Sequence, residues 1–114
     1  MVSGKPDVWV SEGWAERYGM AAEATGLGDT AAEVAAFRPN RELLLGYYEA
    51  AHRATVEEVA GLSEEQLLTP VRYMPEGDER PSWRAFVGTA RDFMEHTGQI
   101  AYLRGLVTGP GWHS

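Results

Sequence analysis

The chain has 114 residues, with 17 acidic and 10 basic side chains, a net charge of −7 and no cysteine. This length fits one domain, and the lack of cysteine excludes disulfides, thiolate metal clusters and a cysteine nucleophile. The acidic balance argues against a nucleic-acid partner, because phosphate neutralisation requires a basic surface. No apolar run approaches ~18 residues and no signal-like segment opens the chain, so we predict a cytoplasmic protein with no membrane partner.

Residues 1–39 are predicted to form an irregular front with short helices, because frequent glycine disfavours a long helix. Residues 8–10 are expected to be a short extended piece. Ser11 is predicted to cap a short helix that runs to Tyr18. A second short helix is predicted to begin at Asp29 or Thr30, with Glu33 completing a capping box, and to end before residue 39.

Residues 40–114 are predicted to form a helical hairpin. Asn40 is expected to cap its first long helix and Gly61 to end it. The apolar stripe that we assign to the core side of this helix follows three- and four-residue spacing: Leu44, Leu45, Tyr48, Ala51, His52, Thr55, Val56, Val59 and Leu62.

The second half of this hairpin begins with a predicted capping box at residues 63–66, followed by a loop over residues 69–81. Ser82 is predicted to cap the second long helix, which runs to about Leu106 and is stopped by residues 109–111. Its apolar stripe is Phe86, Ala90, Phe93, Met94, Thr97, Ile100, Ala101, Leu103 and Val107.

These elements predict an all-α fold, a single domain over residues 1–114 with two long antiparallel helices plus short helices. Two such helices leave apolar faces in water, whereas a closed bundle usually takes four. We therefore expect a homodimer, in which two copies complete a four-helix bundle.

Three residues on the long helices could carry metal chemistry. His96 follows Asp92 by four residues, so that both side chains share one helix face, and a carboxylate with an imidazole is a workable pair of metal ligands. His52 would be the third ligand or a proton carrier, and Glu95 a nearby base. We place His52 on the core side of its helix and His96 at the buried edge.

Each of these signals also has a purely structural interpretation. The histidines could be hydrogen-bonded core residues, and the pair at 92 and 96 a stabilising helix contact. The four tryptophans could wall a concave aromatic site for a small molecule, or fill the gap between the irregular segment and the helices.

Four strings in the chain together carry a resemblance to one family. They are HTGQIAYLRGL at 96–106 with GPGW at 109–112, VWVSEGWAERYGM at 8–20, VAAFRP at 34–39 and LLGY at 44–47. In this combination the chain resembles the DinB-like (DinB/YfiT) superfamily, and its actinobacterial members in particular, over nearly its whole length. Family members have two helices before the section that matches the beginning of this chain, so the resemblance implies that these two N-terminal helices are missing.

The resemblance implies a helical bundle that is often dimeric, with a divalent metal (zinc or nickel) held by three histidines. It also implies a transferase, isomerase or hydrolase that uses a low-molecular-weight thiol such as mycothiol. Carried over by position, His96 matches the second histidine of the last-helix pair, and Asp92 stands where the first would be. The alternative function is a non-catalytic half-bundle that binds a small molecule or pairs with a second chain.

Overall fold

The computed structural model describes residues 4–72, 77–109 and 111. This part of the chain is mostly helical, as predicted, with one two-stranded sheet in addition. Its contacts divide the chain into two units, Met1–Leu62 and Ser63–Ser114. The elements in order are α1 (Val8–Ser11), α2 (Trp14–Tyr18), α3 (Ala31–Ala36), α4 (Arg41–Ala60), α5 (Glu64–Leu68), β1 (Pro70–Arg72), β2 (Glu79–Pro81) and α6 (Ser82–Thr108).

The front of the first unit consists of three short helices. The prediction of an extended piece at 8–10 was wrong, because the Asp7 carboxylate accepts the backbone N–H of Trp9 and starts α1 there. Ser11 belongs to α1 and caps nothing, since α2 begins after Gly13, which has a φ of 71°. The capping box of Thr30 and Glu33 is confirmed at α3.

Helix α4 begins after Asn40, whose side chain accepts the N–H of Leu43, and ends at Gly61, so both predicted ends are confirmed. Helices α1 and α2 contact it. The buried side chains of this unit include Val8, Trp14 and Ala50. The core of the first unit is therefore built from the front helices lying on a face of α4 that carries small residues.

The apolar stripe that the sequence assigned to the core side of α4 is largely exposed. Leu45, Tyr48 and Val56 are 42%, 59% and 53% exposed. His52 is exposed on the same stripe, so its predicted core position was wrong. The front helices α1 and α2 pack on a different side of α4, where the small residues Gly46 and Ala50 let them come close, so the apolar stripe stays uncovered.

The second unit contains α5, a small hairpin and α6. The predicted capping box of Ser63 and Gln66 is confirmed at α5. The stretch predicted as a loop holds β1 and β2, which pair antiparallel with Val71 opposite Arg80. The prediction that Ser82 caps α6 was wrong, because its buried hydroxyl donates to the carbonyl of Gln66 at 2.7 Å and Pro81 takes the N-cap position.

Helix α6 ends at Gly109, which has a φ of 79°, as the predicted stop requires. Pro110 and Trp112, which belong to the predicted stop and to the family motif, lie outside the described residues. Most of the predicted apolar stripe is open, with Phe93, Ile100 and Leu103 at least 59% exposed. No helix in the described ranges combines the length and apolarity needed to cross a bilayer.

Candidate functional site

The first unit contains a cavity of about 650 Å³, within the range typical of small-molecule sites. Four aromatic side chains line it, together with three carboxylates and smaller residues. The aromatic residues are Trp9, Tyr18, Phe37 and Tyr47, and the acidic residues are Asp7, Glu23 and Asp29. The cavity lies between the front segment and the first turns of α4, so its wall combines local and distant parts of the unit.

Three aromatic rings of the cavity are packed against one another at steep angles, and a fourth stacks nearly parallel to one of them. The Trp9 ring lies 5.3 Å from the ring of Tyr18 and 5.3 Å from that of Tyr47, with interplanar angles of 49° and 65°. Phe37 stacks on Tyr18 at 6.0 Å. These separations are typical of favourable contacts between aromatic rings, so the four rings form one packed wall of the cavity.

Two hydrogen bonds fix the orientation of this wall. The indole N–H of Trp9 donates to the carbonyl of Ala21 at 3.3 Å. The hydroxyl of Tyr18 donates to the carbonyl of Leu43 in α4 at 3.2 Å. Because the polar ends of both rings are already satisfied, their faces are positioned before any ligand enters, which lowers the entropic cost of binding.

The corner between α1 and α2 is attached to α4 by a charged contact. Arg53 Nη2 of α4 donates to both oxygens of the Glu12 carboxylate, at 2.9 Å to Oε1 and 3.2 Å to Oε2. It also lies 3.5 Å from the indole nitrogen of Trp14. Both charged partners are more than a third exposed, so the ion pair orients the corner more than it stabilises the unit.

The cavity environment shifts the titration of its phenols. Burial, then the charges of Asp7 and Tyr18, raise the pKa of Tyr47. Burial also raises the pKa of Tyr18. Both shifts favour the neutral phenols, since either phenolate would lose hydration and the phenolate of Tyr47 would also face the Asp7 carboxylate.

The predicted pair on α6 is formed in the second unit. His96 Nε2 lies 3.6 Å from Asp92 Oδ2, and His96 Nδ1 lies 2.9 Å from Gln99 Oε1. A carboxamide oxygen can only accept, so Nδ1 donates to it, and Nε2 forms an ion pair with Asp92 only when the ring also carries its second proton. The prediction that His96 sits at a buried edge was wrong, since its side chain is 61% exposed.

The remaining predicted site residues have other neighbours. The Glu95 carboxylate lies 3.3 Å from Arg91 Nε, one turn earlier on α6, and it is exposed. His52 belongs to the first unit, where its ring stacks on that of Tyr48 with centroids 5.9 Å apart. Of the four predicted site residues, Asp92 and His96 are the two that contacts within a unit bring together.

Neither unit gathers a complete metal site from its described residues. No group of three or more histidine, aspartate or glutamate side chains is placed to hold an ion there. A catalytic zinc usually takes three protein ligands. The pair on α6 therefore does not by itself fit the metal that the family resemblance implies.

Sequence reasoning found part of the cavity and missed the rest. Of the four tryptophans that could wall an aromatic site, Trp9 lines the cavity, whereas Tyr18 and Phe37 were not predicted as wall residues. Tyr47 was missed because it belongs to the small-residue side of α4. Asp7 was missed as well, although an aspartate two residues before a tryptophan at a helix start was a usable capping signal.

Comparisons with known proteins assign no family. No protein-family model matches the chain, and no curated protein matches it. The DinB-like resemblance therefore stays a prediction, and the function has to be inferred from the side chains of the site.

Proposed function

We propose that this chain binds a small organic molecule in the aromatic cavity of its first unit. The observation that carries this proposal is the cavity of about 650 Å³ with its wall of four aromatic rings. Sites for small molecules combine such apolar and aromatic walls with a few polar groups that orient the ligand. Small-molecule binding without catalysis is the alternative function given above for a DinB-like half-bundle.

A fragment screen by ligand-observed NMR tests the proposal. Fragments should bind the unaltered chain and should lose binding when Phe37→Ala removes part of the cavity wall. The control is Tyr102→Ala, which truncates an exposed aromatic side chain of α6. Circular dichroism shows whether each variant folds, and equal loss in both folded variants would contradict the cavity as the site.

A second copy of the chain is the proposed partner. Leu45, Tyr48, Val56 and Val59 of α4 are between 42% and 59% exposed, and Phe93 of α6 is equally open. An exposed apolar stripe of this kind along one helix usually marks an interaction surface. Two copies contribute four long helices, the number from which a closed bundle is usually built.

A metal-dependent thiol transferase of the DinB-like type is the second candidate. It is favoured by the orientation of His96, since Gln99 holds Nδ1 and leaves Nε2 beside Asp92. The pair supplies two ligands, so a third would have to come from His52 or from a second copy. In that function Glu95 or His52 would carry the proton, and a low-molecular-weight thiol would be the co-substrate.

Native mass spectrometry with added zinc or nickel separates the two candidates. A metal ion bound to the unaltered chain and lost in His96→Ala would favour the metal-dependent transferase. The control is Glu95→Gln, which leaves the pair at 92 and 96 intact. A chain that takes up no metal at any oligomeric state would leave the cavity as its only proposed site.

A further inference from the structure

We propose that the cavity of the first unit selects an organic cation, namely an amine or quaternary ammonium compound with an apolar body. The inference rests on the proposed small-molecule site and specifies the chemistry of its ligand. Three features of the cavity lead to it: the aromatic faces, the sign of the surrounding charge, and the spacing of the carboxylates.

The aromatic faces provide the first argument. The Trp9, Tyr18 and Tyr47 rings approach one another within 5.3 to 6.0 Å at interplanar angles between 49° and 73°. All three rings belong to the lining of the cavity, and they come from α1, α2 and α4. The face of each ring is electron-rich, and trimethylammonium groups are bound in protein cages built from such rings.

The charge of the lining provides the second argument. Asp7, Glu23 and Asp29 line the cavity, and its described lining includes no lysine, arginine or histidine. The Asp7 carboxylate is fixed at the start of α1 by the N–H of Trp9, and its charge contributes to the raised pKa of Tyr47. The Arg38 guanidinium donates to the carbonyls of Val34 and Phe37, two residues of the lining. Three carboxylates against this one cation leave an excess of negative charge, which favours a cation over an anion of the same shape.

The spacing of the carboxylates distinguishes an organic cation from a metal ion. No three acidic side chains among the described residues converge closely enough to hold a metal. Calcium, for comparison, takes six to eight oxygen ligands. An organic cation needs no such convergence, because its charge is spread over methyl or methylene groups that contact ring faces while the carboxylates act from a distance.

Isothermal titration calorimetry with choline and its neutral carbon analogue, in which a tert-butyl group replaces trimethylammonium, tests the inference. The two probes have the same shape and differ in charge. We expect the unaltered chain to bind choline roughly tenfold more tightly than the analogue. Equal binding, or tighter binding of the analogue, would overturn the cation class while leaving the small-molecule site in place.

The variant Asp7→Asn removes one charge and keeps a side chain that caps α1 equally well. Its preference for choline over the analogue should fall several-fold, whereas Asp78→Asn in the second unit should leave the preference unchanged. An unaltered preference in Asp7→Asn would overturn the role of this carboxylate in selecting the cation. If neither probe binds but fragments do, the cation class fails alone; if no fragment binds either, the proposed site fails with it.

Discussion

The indole of Trp14 lies so close to Gly46 that a β-carbon at position 46 would meet its Cη2 atom at 2.8 Å. Trp14 is 7% exposed, and its ring also lies 5.7 Å from that of Tyr47. The missing side chain at position 46 therefore sets how closely α2 approaches α4. Because Tyr47 is the next residue, the same contact positions one wall of the cavity.

Substituting Gly46→Ala should destabilise the protein. Alanine normally stabilises a helix interior by about 0.5–1 kcal/mol relative to glycine, but here the added methyl group meets the Trp14 ring. Overpacking of this kind costs about 1–3 kcal/mol, so we expect a net loss of unfolding free energy in urea denaturation. The control is Gly98→Ala in α6, where a β-carbon meets nothing within 4 Å. This substitution should raise the free energy of unfolding. Equal stabilisation by both substitutions would contradict the contact with Trp14.

The start of α3 should weaken in acid. The backbone N–H of Thr30, then its hydroxyl, donate to the Glu33 carboxylate and lower its pKa. A carboxyl whose pKa is lowered by folding stabilises the folded state above its ordinary pKa, and that contribution is lost as the pH falls through the lowered value. In an NMR titration, Thr30→Ala should raise the pKa of Glu33 part of the way, since the backbone donor remains. An unchanged pKa would show that the hydroxyl contributes nothing.

The cavity should weaken at high pH. Folding raises the pKa of Tyr47, so its neutral phenol stabilises the folded state. This stabilisation is complete below the ordinary pKa of tyrosine and is lost as the pH rises through the raised value. Substituting Asp7→Asn should lower the pKa of Tyr47 but leave the larger effect of burial. Tyrosine ring signals in an NMR titration measure this change. Glu49→Gln on the exposed side of α4 is the control, and an equal change there would argue against a local effect of Asp7.

Charge on the open helix faces should break the proposed dimer. Val56→Asp and Phe93→Asp place carboxylates on exposed apolar surfaces of α4 and α6, so each should shift sedimentation towards the monomer. Burial of an unpaired charge costs several kcal/mol, hence a loss of dimer affinity by more than tenfold. Glu49→Gln should leave the association unchanged. A chain that is monomeric without any substitution would contradict the dimer itself.

The sequence predicted those features that depend on neighbouring residues. Asn40 and the capping boxes at Thr30 and Ser63 were correct, because a side chain and a backbone N–H three residues later suffice to define them. Ser82 shows where this reasoning fails. Its hydroxyl has the right position for a cap, but it donates to Gln66, a residue 16 positions earlier, and such a distant partner leaves no local signal.

The orientation of α4 was mispredicted for a related reason. An apolar stripe was taken as the core side, which placed His52 inside. In the structure the front helices lie against Gly46 and Ala50, where small side chains permit close approach, and the larger apolar residues stay open. The cavity could not be predicted as a whole because its wall joins Asp7 to Tyr47 through tertiary contacts.

The most direct test of the small-molecule site is an NMR titration that follows the indole N–H signals of the isotope-labelled chain. The titrant is choline or a fragment found to bind in the screen. Trp9 lines the cavity, and its N–H donates to Ala21, whereas Trp83 belongs to α6 of the second unit. We predict that the Trp9 signal shifts with saturation and that the Trp83 signal stays in place. A ligand that shifts Trp83 and leaves Trp9 unmoved would contradict binding in the aromatic cavity.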